Sequence, residues 1–170
     1  MKKILAVAIL SGISFSAQAA EKMYVAAGVG TASNFGTAFS VAGGMEVASL
    51  PMANKNVPIS AEVGYQSFGS KDFGFGISVS ASAFYGAAAG SFALSDELAA
   101  TAKLGLASVT AEAPNPFGGA KISASSMEML FGIGINYDLK KAMKMPLSVG
   151  AEYTDFGGES VIGARVTMKF

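Results

Sequence analysis

The last ten residues, Val161-Ile-Gly-Ala-Arg-Val-Thr-Met-Lys-Phe170, decide the fold that the rest of the sequence has to fit. Apolar and polar side chains alternate along them, and this repeat of two residues predicts a strand with one apolar and one polar face. The apolar face carries Ile162, Ala164, Val166, Met168 and Phe170. In a transmembrane β-barrel alternate residues face lipid and aromatic rings lie at the membrane interface, which suits a strand that finishes on Phe. The stretch therefore predicts the closing strand of an outer-membrane barrel.

The first 19 residues have the features of a secretory signal. Lys2 and Lys3 precede the apolar stretch 4–15, and the small residues of 16–19 supply an Ala-x-Ala cleavage site. This stretch has about a dozen residues, whereas a helix needs about 20 to cross a bilayer, so a retained anchor is the weaker alternative. We therefore expect a signal peptide at 1–19, cleavage before Ala20, and a single barrel domain at 20–170.

The composition is more apolar than that of an average soluble domain. Hydrophobic residues make up 51% of the chain, charged residues only 14%, and the mean hydropathy is +0.45. About a quarter of the residues are charged in a typical globular domain. The best candidate after the signal for an uninterrupted apolar run, 81–94, is short and contains Gly86 and Gly90. Apolar side chains that face lipid in alternation along strands account for these observations.

Cysteine and histidine are both absent from the sequence. The absence of cysteine is compatible with passage through an oxidising periplasm. Without Lys2 and Lys3, ten basic residues remain against twelve acidic ones, which leaves the exported domain with a net charge of −2. No cluster of Lys or Arg provides the electrostatic footprint of nucleic-acid binding, so a nucleic-acid partner is not expected.

Seven further stretches alternate in the same way and are separated by turn residues. We predict strands at 23–30, 41–47, 59–66, within 73–93, and at 98–109, 127–137, 147–154 and 161–170. The longest predicted loop is 110–121, and the predicted turns include 50–56 and 69–72. Eight is the smallest usual strand number for an outer-membrane barrel. The predicted fold class is thus all-β, an eight-stranded antiparallel up-and-down transmembrane β-barrel, in which the faces taken by Phe84 and Tyr85 remain open.

Aromatic residues test the orientation of these strands, because they collect near the two membrane interfaces. With both chain ends in the periplasm, odd-numbered strands run outward and even-numbered strands return. The predicted outer girdle then consists of Tyr65, Phe68, Tyr153 and Phe156, and the inner girdle of Phe92, Tyr137 and Phe170.

Two stretches, Met23-Tyr-Val-Ala-Ala-Gly-Val-Gly30 and Leu147-Ser-Val-Gly-Ala-Glu-Tyr-Thr-Asp-Phe-Gly157, together with the Phe-terminated last strand, carry a resemblance. They resemble the small eight-stranded outer-membrane barrel family, which includes the membrane domain of outer membrane protein A and the opacity-type surface antigens. The resemblance covers the whole exported domain and implies an architecture rather than an activity. Within that family, the sequence resembles the members that lack a periplasmic peptidoglycan-binding domain.

The resemblance also implies a role for the last strand. In that family the barrel assembly machinery reads the terminal aromatic residue and the alternating apolar residues before it. Those places are held here by Ile162, Ala164, Val166, Met168 and Phe170, although the family often has an aromatic residue where Met168 stands.

Four charged residues fall on the predicted inner face near the middle of their strands: Glu62, Lys103, Glu152 and Arg165. In a closed barrel they approach one height inside the lumen, and unpaired ions there are costly, so we expect an ion-paired cluster. Family members carry a similar cluster. Two interpretations are open: a structural plug that fills a narrow lumen, or a gate whose pairs exchange partners to pass small ions. The narrowness of an eight-stranded interior favours the plug.

The sequence offers little for catalysis or ligand chemistry. Without histidine, no His-dependent triad or dyad is possible, and enzymes on small outer-membrane barrels typically use one. Asp155 and Glu159 are interpreted as turn residues rather than a carboxylate-only hydrolase site. Only oxygen ligands for Ca²⁺ or Mg²⁺ remain, and no spacing suggests a site. We expect no catalytic, cofactor-binding or metal-binding residues and no cofactor.

The expected protein is a structural, surface-exposed integral protein of the outer membrane of a Gram-negative bacterium. Its expected partners are outer-membrane lipids and, during biogenesis, the barrel assembly machinery, and the expected state is a monomer. Two alternatives remain open: an adhesin or immune-interaction antigen that acts through its external loops, chiefly 110–121, and a narrow pore of low conductance.

Overall fold

A computed structural model describes residues 22–52, 55–74, 77–115 and 120–170. The strands are β1 (Met23–Ala32), β2 (Gly36–Met52), β3 (Lys55–Asp72), β4 (Ser78–Ala93), β5 (Leu98–Ala113), β6 (Ile122–Asp138), β7 (Leu147–Asp155) and β8 (Ser160–Lys169). One helical turn, α1 (Lys140–Met143), precedes β7. Within these ranges, no helix has the length and apolar character needed to cross a membrane. The predicted signal peptide at 1–19 lies outside the described residues.

The eight strands pair antiparallel in sequence order and close into a barrel. β8 pairs with β7 on one side and with β1 on the other, so the strand deduced from the last ten residues closes the ring. The predicted fold class is therefore confirmed. We define the inner end of the barrel as the end at which β1 begins and β8 ends, and the outer end as the opposite one.

Apolar side chains cover the outside of the barrel rather than a conventional core. Large exposed examples on four different strands are Val29, Val63, Leu104, Leu106, Met127 and Met129. Their neighbours along each strand point into the lumen, where glycine and small side chains leave room for the few large ones. An eight-stranded barrel has an interior just wide enough for side chains to fill, which explains this composition.

The structure decides the faces of the fourth strand. Tyr85 is buried in the lumen, whereas Phe84 is 68% exposed on the outer surface. Ala81 and Ala83 share the inward face with Tyr85, so Ser78, Ser80 and Ser82 point outward, whereas Ser91 lines the lumen. Sequence alternation alone did not settle the matter, because Ser and Ala suit either face.

Strands β2 to β6 have 16 to 18 residues each, against nine or ten in β1, β7 and β8. β2, β3, β5 and β6 are longer than predicted, whereas β4 lies within the predicted range 73–93. The predicted breaks at 50–56, 69–72 and 110–121 are therefore too wide. β2 continues to Met52, β3 reaches Asp72 and β5 reaches Ala113. Backbone pairing continues beyond the part of each strand that carries large apolar side chains. The side chains there are small or polar on both faces, so the alternation that predicts a strand is weak.

Polar rows mark where the apolar outer surface of β3 to β6 ends. One row across these four strands is Ser67, Ser82, Thr110 and Ser125, and the next one outward is Ser70, Ser80, Glu112 and Ser123. The Thr110 and Ser125 hydroxyls are 2.9 Å apart and exposed. One row inward, Tyr65 and Phe84 lie side by side with ring centroids 5.0 Å apart. On these strands the change from aromatic rings to hydroxyl groups therefore lies toward the outer end of the barrel.

Candidate functional site: the barrel lumen

The structure brings together the four charged residues that the sequence placed on the inner face. Glu62 on β3, Lys103 on β5, Glu152 on β7 and Arg165 on β8 form four ion pairs inside the barrel. Lys103 Nζ lies 2.9 Å from Glu62 Oε1 and 2.7 Å from Glu152 Oε1. We call these four residues the ion cluster.

Glu62 is the most enclosed member of the ion cluster, with a side chain only 1% exposed. Its carboxylate accepts hydrogen bonds from Lys103 and from both terminal nitrogens of Arg165. Two phenols donate to it as well: Tyr24 at 2.7 Å and Tyr85 at 3.0 Å. A buried carboxylate is tolerable only when its oxygens are fully paired, and these contacts meet that requirement.

Glycines position the two tyrosines, whose role the sequence alone did not reveal. Tyr24 lies opposite Gly44 and Tyr85 opposite Gly64 in the strand register. A Cβ atom at either glycine would overlap the tyrosine ring, so each ring rests on bare backbone. Because both rings are held flat against neighbouring strands, their hydroxyl groups converge on the Glu62 carboxylate. The signal available in the sequence was a tyrosine on a face otherwise made of Gly, Ser and Ala.

Glu152 has a more open environment than Glu62. It pairs with Lys103 and Arg165 and accepts a hydrogen bond of 3.0 Å from Thr154, yet its side chain is 20% exposed. The exposed part faces a cavity of about 390 Å³ that opens at the inner end, where Lys22, Asp138 and Lys169 line its mouth. All four members of the ion cluster line this cavity. We call it the inner vestibule.

An apolar plug occupies the lumen on the other side of the ion cluster. Its large side chains are Phe68, Tyr85, Leu130 and Phe156, and small residues near the outer strand ends, such as Ala32 and Ala38, pack around them. The Phe68 and Phe156 rings meet edge to face with centroids 5.1 Å apart, and Tyr85 packs on Phe156 at 6.0 Å. We call these four large residues the apolar plug.

The interpretation of Phe68 and Phe156 as outer girdle residues is wrong. Both are buried, at 0% and 2% exposure, because they continue the inward face of their strands after Gln66 and Thr154. A bulge between Ser67 and Gly69 then shifts the alternation by one residue, so that Ser70 faces outward beside Ser80. A position near a strand end suggests a girdle residue, but the alternation along each strand directs these two side chains into the lumen.

The other aromatic residues assigned to girdles lie on the outer surface. Tyr65 contacts the rings of Phe39 and Phe84 toward the outer end. Phe92, Tyr137, Tyr153 and Phe170 are each exposed by about two-fifths to one half. On β8, Ile162, Ala164, Val166 and Met168 all face outward. The Phe170 amide donates to the Met23 carbonyl at 2.9 Å, which joins the last residue to the first strand.

Two polar clusters tie the turns together at opposite ends of the barrel. At the outer end, the Glu159 carboxylate accepts hydrogen bonds from the Ser33 hydroxyl and from the Asn34 backbone and side-chain amides. At the inner end, the hydrogen bond from Tyr137 and the contact with Lys141 lower the pKa of the Glu97 carboxyl below its usual range. Asp155 accepts from the Gly157 amide, as expected of a turn residue, whereas Glu159 is a bridge between two turns.

The side chains of the lumen would form a metal site where several ligating groups lie together. Among the described residues there is no group of three acidic, His or Cys side chains that is able to hold a metal ion. Every buried side-chain nitrogen and oxygen in that part of the chain has a hydrogen-bond partner. The carboxylates of the ion cluster are thus engaged in structural pairing.

Comparison with known proteins gives the family. The family model described as "Outer membrane protein beta-barrel domain" matches residues 5–170. No curated protein sequence matches the chain.

Three solved structures with the same architecture show how far the likeness extends. The N-terminal β-barrel domain of Pseudomonas aeruginosa OprF is 14% identical, with a TM-score of 0.59, and the match covers 90% of this chain and 100% of that one. The outer membrane enzyme PagL is 15% identical, with a TM-score of 0.56 and coverages of 86% and 99%. Ail, the attachment invasion locus protein of Yersinia pestis, is 11% identical, with a TM-score of 0.55 and coverages of 87% and 96%. At these identities the likeness concerns the fold alone, and with the family match it leads to one conclusion: the chain belongs to the outer membrane protein β-barrel family.

Proposed function

We propose that the protein is a structural, surface-exposed integral barrel of the outer membrane, with a closed, ion-paired lumen and no catalytic activity. The observation that carries the proposal is the filled lumen. The ion cluster crosses the barrel from β3 to β8 and the apolar plug closes the space outward of it. Such an interior stabilises a barrel and leaves no path for solutes.

The ion cluster supports a structural role more than a gating role. Glu62 accepts from four different side chains, so an exchange of partners has to break several short contacts at once. Buried ion pairs of this kind cost about as much to desolvate as they return, but losing one partner leaves a charge stranded. The arrangement therefore favours a single closed state.

The side chains available do not favour catalysis. No histidine exists in the sequence to act as a general base. PagL shows that this fold is able to host an enzyme, so the fold does not decide the question. The carboxylates of this lumen are held by cations and phenols, which removes them from proton-transfer chemistry.

The proposal includes the route to the membrane. The segment 1–19 would direct export. The resemblance to small outer-membrane barrels implies that the barrel assembly machinery recognises the β8 face ending at Phe170. The protein would then reside in outer-membrane lipids as a monomer. The aromatic residues Tyr65, Phe92, Tyr137, Tyr153 and Phe170 then lie at the two interfaces of the bilayer.

Two measurements on the purified protein test the closed barrel. In detergent gels, we expect a compact band for the unboiled sample and a shifted band after boiling, since a folded barrel resists detergent while cold. In planar lipid bilayers, we expect the same heat-modifiable sample to give no stepwise currents. Steady channels in the folded sample would instead support the narrow-pore alternative and contradict the closed lumen.

A second candidate function, adhesion through the outer end, is favoured by one observation. Paired strands β3 to β6 continue beyond the row of Tyr65 and Phe84 and present polar outer surfaces.

We expect binding of cells that express the protein to host cells or matrix to be unchanged when 114–121 is replaced by a short Gly-Ser turn. A matched replacement of the inner turn at 140–146 controls for general effects on the barrel. Loss of binding with the outer replacement only would favour the adhesin over the structural protein.

A further inference from the structure

We propose that the lumen contains two independent barriers in series, the ion cluster and the apolar plug, so that the inner vestibule is a blind chamber reached only from the inner end. The inference rests on the proposed closed barrel and names what closes it. It assigns the outer seal to the apolar plug, which has no charged member.

The two barriers are separated along the barrel axis. The members of the ion cluster lie in the middle of their strands, whereas Phe68 lies near the outer end of β3 and Phe156 directly follows β7. The inner vestibule is lined by the ion cluster but not by Phe68, Leu130 or Phe156. The vestibule that opens at the inner end therefore extends as far as the ion cluster and does not reach these three plug side chains.

The barriers also use different physical effects. A hydrated ion that met the plug would have to shed water among Phe68, Leu130 and Phe156, which offer no charge in return. The ion cluster blocks the lumen by filling it with mutually paired side chains. Tyr85 links the two barriers, since its ring packs on Phe156 and its hydroxyl donates to Glu62. The ion pairs of Lys103 are with Glu62 and Glu152, and neither residue belongs to the apolar plug.

Conductance of combined variants tests the series arrangement. We expect no channels in planar bilayers from the wild type, from Lys103→Ala, or from Phe68→Ala/Phe156→Ala. The triple variant that combines them is expected to give steady, ohmic channels. Channels from either partial variant at the level of the triple variant would overturn the two-barrier arrangement. Absence of channels from a triple variant that still shows the compact, heat-modifiable gel band would overturn it as well. Channels from the wild type would instead contradict the proposed closed barrel, so the two failures are distinguishable.

Accessibility of single cysteines tests the blind vestibule without disturbing either barrier. The chain has no native cysteine, so Ser60→Cys reports on the vestibule that Ser60 lines. Lys22→Cys at the inner mouth and Ser123→Cys on the exposed outer end of β6 report which end faces the reagent. The probe is a small charged methanethiosulfonate added outside proteoliposomes.

The labelled fractions separate the outcomes in any mixture of orientations. We expect Ser60→Cys to be labelled to the same fraction as Lys22→Cys, and Ser123→Cys to be labelled to the complementary fraction. Labelling of Ser60→Cys in every molecule would show access from both ends and overturn the proposal. Absence of labelling at Ser60→Cys, with Lys22→Cys reactive, would show that the vestibule is closed and would overturn it as well.

Discussion

Glu62→Ala is expected to lower the free energy of unfolding by about 3–5 kcal/mol, because it leaves buried cations without their carboxylate. Lys103, Arg165 and the two tyrosine hydroxyls all donate to Glu62, whose side chain is only 1% exposed. The Ala variant therefore removes one carboxylate and leaves four hydrogen-bonding side chains without their acceptor. Urea-induced unfolding in lipid vesicles, followed by the shift between folded and unfolded gel bands, measures the change.

A matched control is the exposed ion pair of Glu112 and Lys121 at the outer end, which has the same 2.9 Å separation as Lys103 and Glu62. Its side chains are 43% and 68% exposed, so Glu112→Ala is expected to cost at most about 1 kcal/mol. Equal losses for Glu62→Ala and Glu112→Ala would show that the cluster is solvated and not a structural element.

Phe68→Ala is expected to cost about 3–5 kcal/mol of unfolding free energy, because it opens a cavity in a closely packed part of the lumen. Phe68 is 0% exposed and meets the ring of Phe156 edge to face. Both the buried area and the ring contact disappear in the variant. The same unfolding measurement in lipid vesicles reports the change.

Phe84→Ala removes an identical side chain from the outer surface, where it is 68% exposed. It loses the ring contact with Tyr65, worth about 1 kcal/mol, while lipid replaces much of the rest. The expected order is a large loss for Phe68→Ala and a small one for Phe84→Ala. A reversed order would mean that the plug contributes nothing to stability.

Alternation along the strands was sufficient for the architecture. The period of two placed Glu62, Lys103, Glu152 and Arg165 on the inner face, and the structure pairs all four. A strand has only two faces, so when one face is apolar and meets lipid, a charged residue between the apolar ones must face the lumen. The ends of the strands were less predictable, because strand pairing continues past Val109 to Ala113 with no large apolar side chain to mark it.

The apolar plug was hidden by the expectation that aromatic residues near strand ends belong to a girdle. Phe68 and Phe156 share the inward face with Gln66 and Thr154, so the information was present in the sequence. The partners of Tyr24 and Tyr85 were a different matter. Their contact with Glu62 depends on strand register and on bare backbone at Gly44 and Gly64, neither of which follows from one strand alone.

The pairing of β1 with β8 has a consequence for how the protein opens. It joins residues from the two ends of the domain, such as Tyr24 and Lys169, whereas every other pairing is a hairpin between consecutive strands. In lipid, a ring that lacks this pairing exposes two rows of amides and carbonyls with nothing to bond them. Partial unfolding is therefore penalised at every strand, and slow amide hydrogen exchange should report one shared opening free energy around the whole barrel rather than a graded series of local ones.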